Sequence, residues 1–187
     1  QKDILNLVYL CKHYGLEEVA EYWHQVVKIN DYQKNRFANK IIKGLNGTVN
    51  KKKVTLLGWA FKKNTNDSRE SATIYVADIL LEEGAELHIF DPMVKEARIY
   101  QDLITLWESR NDSQQKINSK LKCCVVHQDH KTALENSFVA AILTEWDEFK
   151  FYDWDAITRK MKHPAKVYDG RNVLELNKNI NQYFIGK

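Results

Sequence analysis

Two hydrophobic rhythms divide this chain. From Ile4 through Leu5, Val8, Leu10 and Cys11, and again from Leu16 through Ala20, Trp23, Val27, Tyr32, Phe37, Ile41 and Ile42, apolar residues recur near the spacing of one helix face. Gly15 lies between the two patterns and suits the left-handed turn that closes a helix. No proline interrupts the second pattern, which predicts one long helix ending among Gly44, Gly47 and Asn50. Beyond residue 50 short apolar runs alternate with helical stretches. Residues 54–57, 86–90, 122–126, 138–143, 165–168 and 182–185 read as strands, and 71–83, 95–109, 130–136 and 154–161 as helices. The runs Val54-Thr55-Leu56-Leu57 and Val139-Ala140-Ala141-Ile142-Leu143 lack the polar alternation of a half-exposed strand, so both faces of their sheet are covered.

Such alternation implies parallel strands joined by right-handed crossovers. The fold class is therefore α/β: a doubly wound, mostly parallel Rossmann-like sheet preceded by a helical arm that contains a long helix. The boundary falls near residue 47, giving a helical region over 1–47 and an α/β domain over 48–187. Residues 109–120 are polar and read as a surface insertion. There is no internal repeat and no low-complexity segment.

Composition narrows the function classes. A net charge of +3, with no basic stripe interleaved by aromatics, gives no nucleic-acid surface. No apolar run approaches a membrane span and no signal-peptide pattern opens the chain, so a cytoplasmic protein is expected. Cys11 sits in a helical pattern, while Cys123 and Cys124 are adjacent in a strand-like run and would point to opposite faces. Their spacing fits no zinc motif, so no metal site is expected, and all three read as buried free thiols. His88 reads as a satisfied core histidine, and Trp107, Trp146 and Trp154 as packing residues.

Candidate chemistry concentrates between Gly58 and Ser71, where a strand ends and a helix begins. Unpaired N–H groups at a helix start carry partial positive charge, and Lys62, Lys63 and Arg69 add full charges, so a phosphate is the natural guest. The stretch has no G-x-G-x-x-G turn. Asp67 or Ser68 suits the helix cap, Asp67 and Glu70 are structural, and Asp91-Pro92 forms a turn. Arg171 offers a planar fork to an anion, or pairs with Asp169, and Gly170 allows close backbone approach beside it. Phe61, Lys62 and Arg69 follow the first strand, Thr144-Glu145-Trp146 the fourth and Asp169-Gly170-Arg171 the fifth. In a doubly wound sheet these are the ends at which ligands bind.

The ordered string Phe61-Lys62-x-x-Thr65-x-Asp67-x-Arg69-Glu70-Ser71 resembles the C-terminal signature of the UDP-glucose/GDP-mannose dehydrogenase family. Gln1 to Cys11 resembles the segment just after the catalytic cysteine in eukaryotic members, and Thr144-Glu145-Trp146-Asp147 and Asp169-Gly170-Arg171 match further blocks in the same order. The resemblance implies a parent enzyme that oxidises UDP-glucose to UDP-glucuronate with two NAD, through a thiohemiacetal and a thioester on that cysteine. Cys11 matches a non-catalytic position. The resemblance assigns Phe61, Lys62 and Arg171 to the UDP-sugar, Arg69 and Lys2 to NAD, and Asp3 to proton transfer. It also implies a homodimer, or a higher oligomer, through the helical region. On this reading the chain binds and assembles but is inactive alone. The alternatives are a GDP-mannose or UDP-N-acetylhexosamine dehydrogenase, or a helix-mediated interaction module with a vestigial nucleotide-binding fold.

Overall fold

The computed structural model describes residues 2–186, and of Lys2 only the backbone. The strands are β1 (Lys53–Leu57), β2 (Glu86–Phe90), β3 (Cys124–Val126), β4 (Val139–Ile142), β5 (Lys166–Asp169) and β6 (Asn181–Phe184). They form one parallel sheet in the order β3-β2-β1-β4-β5-β6. The doubly wound reading holds, with strand boundaries within two residues of those expected. The register puts Phe90, Leu57, Ile142, Asp169 and Phe184 in one row, so five strands end level at the carboxyl edge. Strand order reverses between β1 and β4, and the chain segments leaving them diverge to open a crevice there. These two are also the most buried strands, with Val54 to Leu57 and the whole of β4 inaccessible to solvent.

Two helices precede the sheet: α1 (Lys2–His13) and α2 (Glu17–Gly44). They are followed by α3 (Ala72–Glu82), α4 (Glu96–Ser109), α5 (Gln114–Lys122), α6 (His130–Leu134) and α7 (Trp154–Lys160). Gly15, at φ 71°, makes the predicted break between α1 and α2. The 28 residues of α2 span about 42 Å. Ala20, in its first half, packs with Val8 and Cys11 of α1 in a small separate cluster, whereas Phe37, Ala38, Ile41 and Ile42 belong to the core beneath the sheet. A Cβ on Gly170 would lie 3.1 Å from the Phe37 ring and 3.0 Å from the Ile142 carbonyl. Glycine there lets α2 close onto the end of β5, a packing role beside the ligand-approach role read from sequence.

Four expectations need correction. The polar stretch 109–120 is largely helical: Ser113 caps α5 by accepting from Lys116 N at 3.3 Å, and Ile117 is buried. What anchors it is a lysine. Lys120 is 6% exposed, within 3.3 Å of Asp78, 2.5 Å of Glu82 and 3.2 Å of Asp112, and such burial leaves no apolar period to read. Cys123 is an exposed residue at the end of α5, not a buried strand residue; Cys124 is buried, and burial pushes its thiol up to about 12. Neither Asp67 nor Ser68 caps α3, since Ser71 accepts from Thr73 N at 3.4 Å. His88 is only half-buried and stacks on His127, with Nδ1 2.6 Å from its Nε2.

Burial, then the charge of Lys53 and the facing His127, lowers His88 to about 4 from an ordinary 6.5, and burial lowers His127 as well. A depressed imidazole favours the neutral form in the folded state. Its contribution to stability is therefore complete above about pH 6.5 and is lost as pH falls towards 4, where the unfolded chain takes up the proton first. The thermal midpoint is expected to drop across that window, and His88→Gln to make the drop shallower. Equal slopes in the two proteins by thermal denaturation would refute the assignment.

Candidate functional site

The loop from Gly58 to Ser71 is shaped by a buried carboxylate at the end of β2. Asp91, 8% exposed, accepts from Trp59 N at 2.6 Å, Ala60 N at 3.0 Å and Trp146 Nε1 at 3.0 Å through one oxygen. Its other oxygen takes Met93 N and Val94 N, each at 2.8 Å. Two hydroxyls fix the remainder: Thr144 donates to the Ala60 carbonyl at 2.6 Å, and Thr73 to that of Gly58 at 3.0 Å. Gly58, at φ 93°, passes so close to Thr144 that a Cβ would lie 2.7 Å from its backbone nitrogen. In a dinucleotide-binding turn, N–H groups at this point face a diphosphate and the acid ending the second strand faces a ribose. Here the acid turns inward and takes those N–H groups itself. The switch-point turn is filled by the protein's own carboxylate.

The open space lies one step outward. Phe61, Leu143, Gly170 and Arg171 from the strand ends, with Asn30, Gln33 and Lys34 of α2, border a cleft of about 450 Å³. Phe61 exposes 38% of its surface. The Lys62 ammonium stands 5.3 Å from the centroid of that ring, without a carboxylate partner among the described residues, while its neighbour Lys63 is paired with Asp147 at 2.7 Å. Arg171 is placed by its surroundings. Its N–H donates to Asp169 Oδ1 at 2.9 Å, its Nε to the Leu143 carbonyl at 2.8 Å, and one terminal nitrogen to the Phe61 carbonyl at 3.5 Å. Glu145 lies 3.5 Å from Arg171 Nε and accepts from Lys63 N at 3.4 Å, joining two strand ends. Asp169 thus holds the Arg171 backbone, and the Arg171 side chain is left to reach across to the β1 loop.

The remaining candidates lie elsewhere. Arg69 is 76% exposed, donates from Nε and a terminal nitrogen to Asp67, and borders a second opening beside α4. These contacts hold the half-buried Asp67 carboxyl down at about 2. Asp3 is an exposed residue of the first turn of α1 and lines neither opening. The Lys2 side chain lies outside the described residues. Among the described residues no group of three potential metal ligands converges, and none of the three thiols lines the cleft.

Residues 55–176 match the UDP binding domain of the UDP-glucose/GDP-mannose dehydrogenase family. The chain belongs to that family. Its curated relatives include UDP-glucose 6-dehydrogenase 4 of Arabidopsis thaliana, 47% identical over 181 residues, and UDP-glucose 6-dehydrogenase of Bos taurus, 46% identical over 175. These alignments cover 95% and 94% of this chain but 38% and 34% of the relatives, so the chain spans little more than a third of their length. A solved UDP-glucose dehydrogenase from Pyrobaculum islandicum superposes with a TM-score of 0.67 at 26% identity, over 97% of this chain and 36% of that one.

Within the family's UDP binding domain, the motif residues sort by position. Phe61 and Arg171 border one cleft, with the Lys62 ammonium beside the Phe61 ring, and Arg69 is carried by the same loop to the other opening. The sequence reading missed the cleft wall supplied by α2. Asn30, Gln33 and Lys34 recur at i, i+3 and i+4, a polar stripe on a helix read only for its apolar face. The turn role read for Asp91 is present in its bonds to Met93 N and Val94 N. Its bonds to Trp59, Ala60 and Trp146 lie beyond that reading, because partners on other segments leave no local pattern.

Asp91→Asn keeps the shape and replaces one acceptor oxygen by a donor facing N–H groups already in place. Each unsatisfied buried donor costs about 1–3 kcal/mol, so a loss of roughly 2–4 kcal/mol in unfolding free energy is expected. Urea denaturation checks it, and a change under about 0.5 kcal/mol would contradict the role given to Asp91.

Proposed function

We propose that this chain is the UDP-sugar-binding and assembly portion of an NAD-dependent enzyme that oxidises UDP-glucose to UDP-glucuronate. The observation that carries the reading is the cleft that Phe61 and Arg171 border at the carboxyl edge of β1, β4 and β5, with the Lys62 ammonium 5.3 Å from the Phe61 ring. A ring face, an ammonium with no carboxylate partner among the described residues and an oriented guanidinium suit a ligand with an aromatic base, a diphosphate and a sugar. The names of the relatives point to the same ligand class. Asp3 is assigned to proton transfer and Lys2 to the cofactor on the family motif.

NAD accepts the hydride when bound. The Gly58–Ala60 turn does not fit it, since Asp91 occupies the N–H groups a dinucleotide needs. Arg69 does fit: one terminal nitrogen has no partner among the described residues, and the side chain is open to solvent. This chain's part is therefore to meet the cofactor's phosphates from outside. No helix among the described residues is long and apolar enough to cross a membrane. The three free thiols fit a reducing compartment, and we place the protein in the cytoplasm.

The arm supplies the assembly surface. Tyr9, Tyr14, Tyr22 and Tyr32 are 69%, 74%, 68% and 61% exposed, and Leu5, Leu10, Leu16, Val19 and Ile29 add apolar area along α1 and α2. So much exposed apolar surface on two helices calls for a partner, and a second copy of residues 1–47 would cover it in a two-fold contact. Sedimentation at high micromolar concentration is expected to give a dimer. A monomer throughout would refute this surface as an interface.

The cleft is tested directly by titrating UDP into the chain and following amide shifts. Binding near millimolar, about 4 kcal/mol, is expected because the cleft is open on its outer side. Lys62→Ala and Arg171→Ala should each weaken it tenfold or more with the thermal midpoint kept. Unchanged affinity in both variants would overturn the site.

A further inference from the structure

Arg98, on the first turns of α4, belongs to no motif discussed so far. Its Nε donates to the Ser68 hydroxyl at 3.1 Å and lies 2.9 Å from Asp102 Oδ1. Asp102 is buried, and its second oxygen receives Trp59 Nε1 at 3.0 Å and the Ser68 hydroxyl. The guanidinium is thus pinned at its base by a buried network. Its two terminal nitrogens have no partner among the described residues, and the side chain is 48% exposed. An arginine held this way has already lost most of its rotamer freedom and keeps a donor pair pointing outward.

Arg69 stands at the other side of the same opening, a cleft of about 520 Å³ that Lys95 also borders. It is oriented by Asp67 and has a terminal nitrogen to spare. Among the residues lining the cleft there are three cations and one carboxylate, and that carboxylate, Asp67, is engaged by Arg69. Two separately fixed guanidinium groups match an anion with two charged centres better than a single phosphate or carboxylate, which one fork satisfies.

We propose that Arg98 is a second diphosphate-binding arginine, which with Arg69 clamps a dinucleotide's diphosphate between the β1–α3 loop and the start of α4. The dinucleotide identity rests on the reading of Arg69 above; the diphosphate chemistry rests on the geometry of Arg98 itself.

Inorganic pyrophosphate, titrated into this chain at low salt, is the probe. Amide shifts of Asn66, Met93 and Lys95 report this cleft separately from Gly170 at the other. Saturable binding at those three amides is expected, at least tenfold tighter than for inorganic phosphate. Arg98→Gln should weaken it about tenfold or more, and Lys131→Ala, a surface lysine on α6, should not. Arg98→Lys keeps the charge and the link to Asp102 but loses the fork; it covers the case in which Arg98→Gln fails to fold, and should also bind more weakly. Wild-type affinity in a folded Arg98→Gln or Arg98→Lys protein, or no binding at those amides in the parent chain, overturns the proposal. If Arg98→Gln weakens binding while Arg69→Ala does not, the role of Arg98 stands and the assignment of Arg69 to the cofactor falls.

Discussion

Asp91 brings a carboxylate to 8% exposure at the end of β2, where the first β–α loop of the sheet turns over it. Removing such a group from water costs several kcal/mol, and only a full set of charge-assisted hydrogen bonds offsets that. It has five N–H donors, from the β1 loop, its own turn and the Trp146 indole after β4. The segments following three strands are therefore tied to one charge. The direction in which the chain leaves β1, and so the exit of Phe61 and Lys62 towards Arg171, follows from where those N–H groups must point. A hydrophobic core gives compactness to a sheet of this kind. The buried carboxylate fixes its rim.

The same constraint explains why a Rossmann-like sheet does not place its proposed ligands where that fold usually does. The acid that would face a ribose is turned into the protein, and the turn that would cradle a diphosphate is saturated. Binding capacity moves outward to side chains on the loop and to the wall made by α2. That wall exists because Gly170 lets Phe37 pack against the end of β5. The long helix therefore lines the cleft over residues 30–37 of one face, while Tyr22 and Tyr32 of the same helix, with Tyr9 of α1 and Tyr14 of the turn, are exposed.

Much of this was legible in the sequence, for physical reasons that differ by element. β1 and β4 are buried on both faces, so their runs are nearly unbroken and stand out. α2 keeps one apolar face over seven turns and is hard to miss. α5 was missed because its attachment is an ion network around Lys120, which in sequence is one more charge in a polar stretch. The clustering of Phe61, Lys62 and Arg171 follows from their all lying at carboxyl ends of parallel strands, which the alternation of elements already implies. The inward turn of Asp91 depends on Trp59, Ala60 and Trp146, 31 to 55 positions away. The burial of Asp102 that pins Arg98 depends on Trp59 and Ser68. No local spacing encodes either, although Arg98 and Asp102 are themselves an i, i+4 pair on α4.

One loop serves both openings, and its internal bonds make it a single body. Phe61 N donates to the Asp67 carbonyl at 3.0 Å, closing residues 61–67 into a compact turn. Asp67 then holds Arg69, Ser68 reaches Asp102 and Arg98, and the Phe61 carbonyl meets Arg171. The backbone between Phe61 and Arg69 therefore moves little without breaking a bond in that set, while the Lys62 side chain itself makes none of them. A ligand bound at the proposed UDP-sugar cleft would pull on the segment that orients Arg69, and an anion at the proposed Arg69–Arg98 site would bear on the segment that presents Lys62. Contiguous hydrogen bonds across a few residues join the two openings, the shortest physical route by which occupancy of one would bias the other.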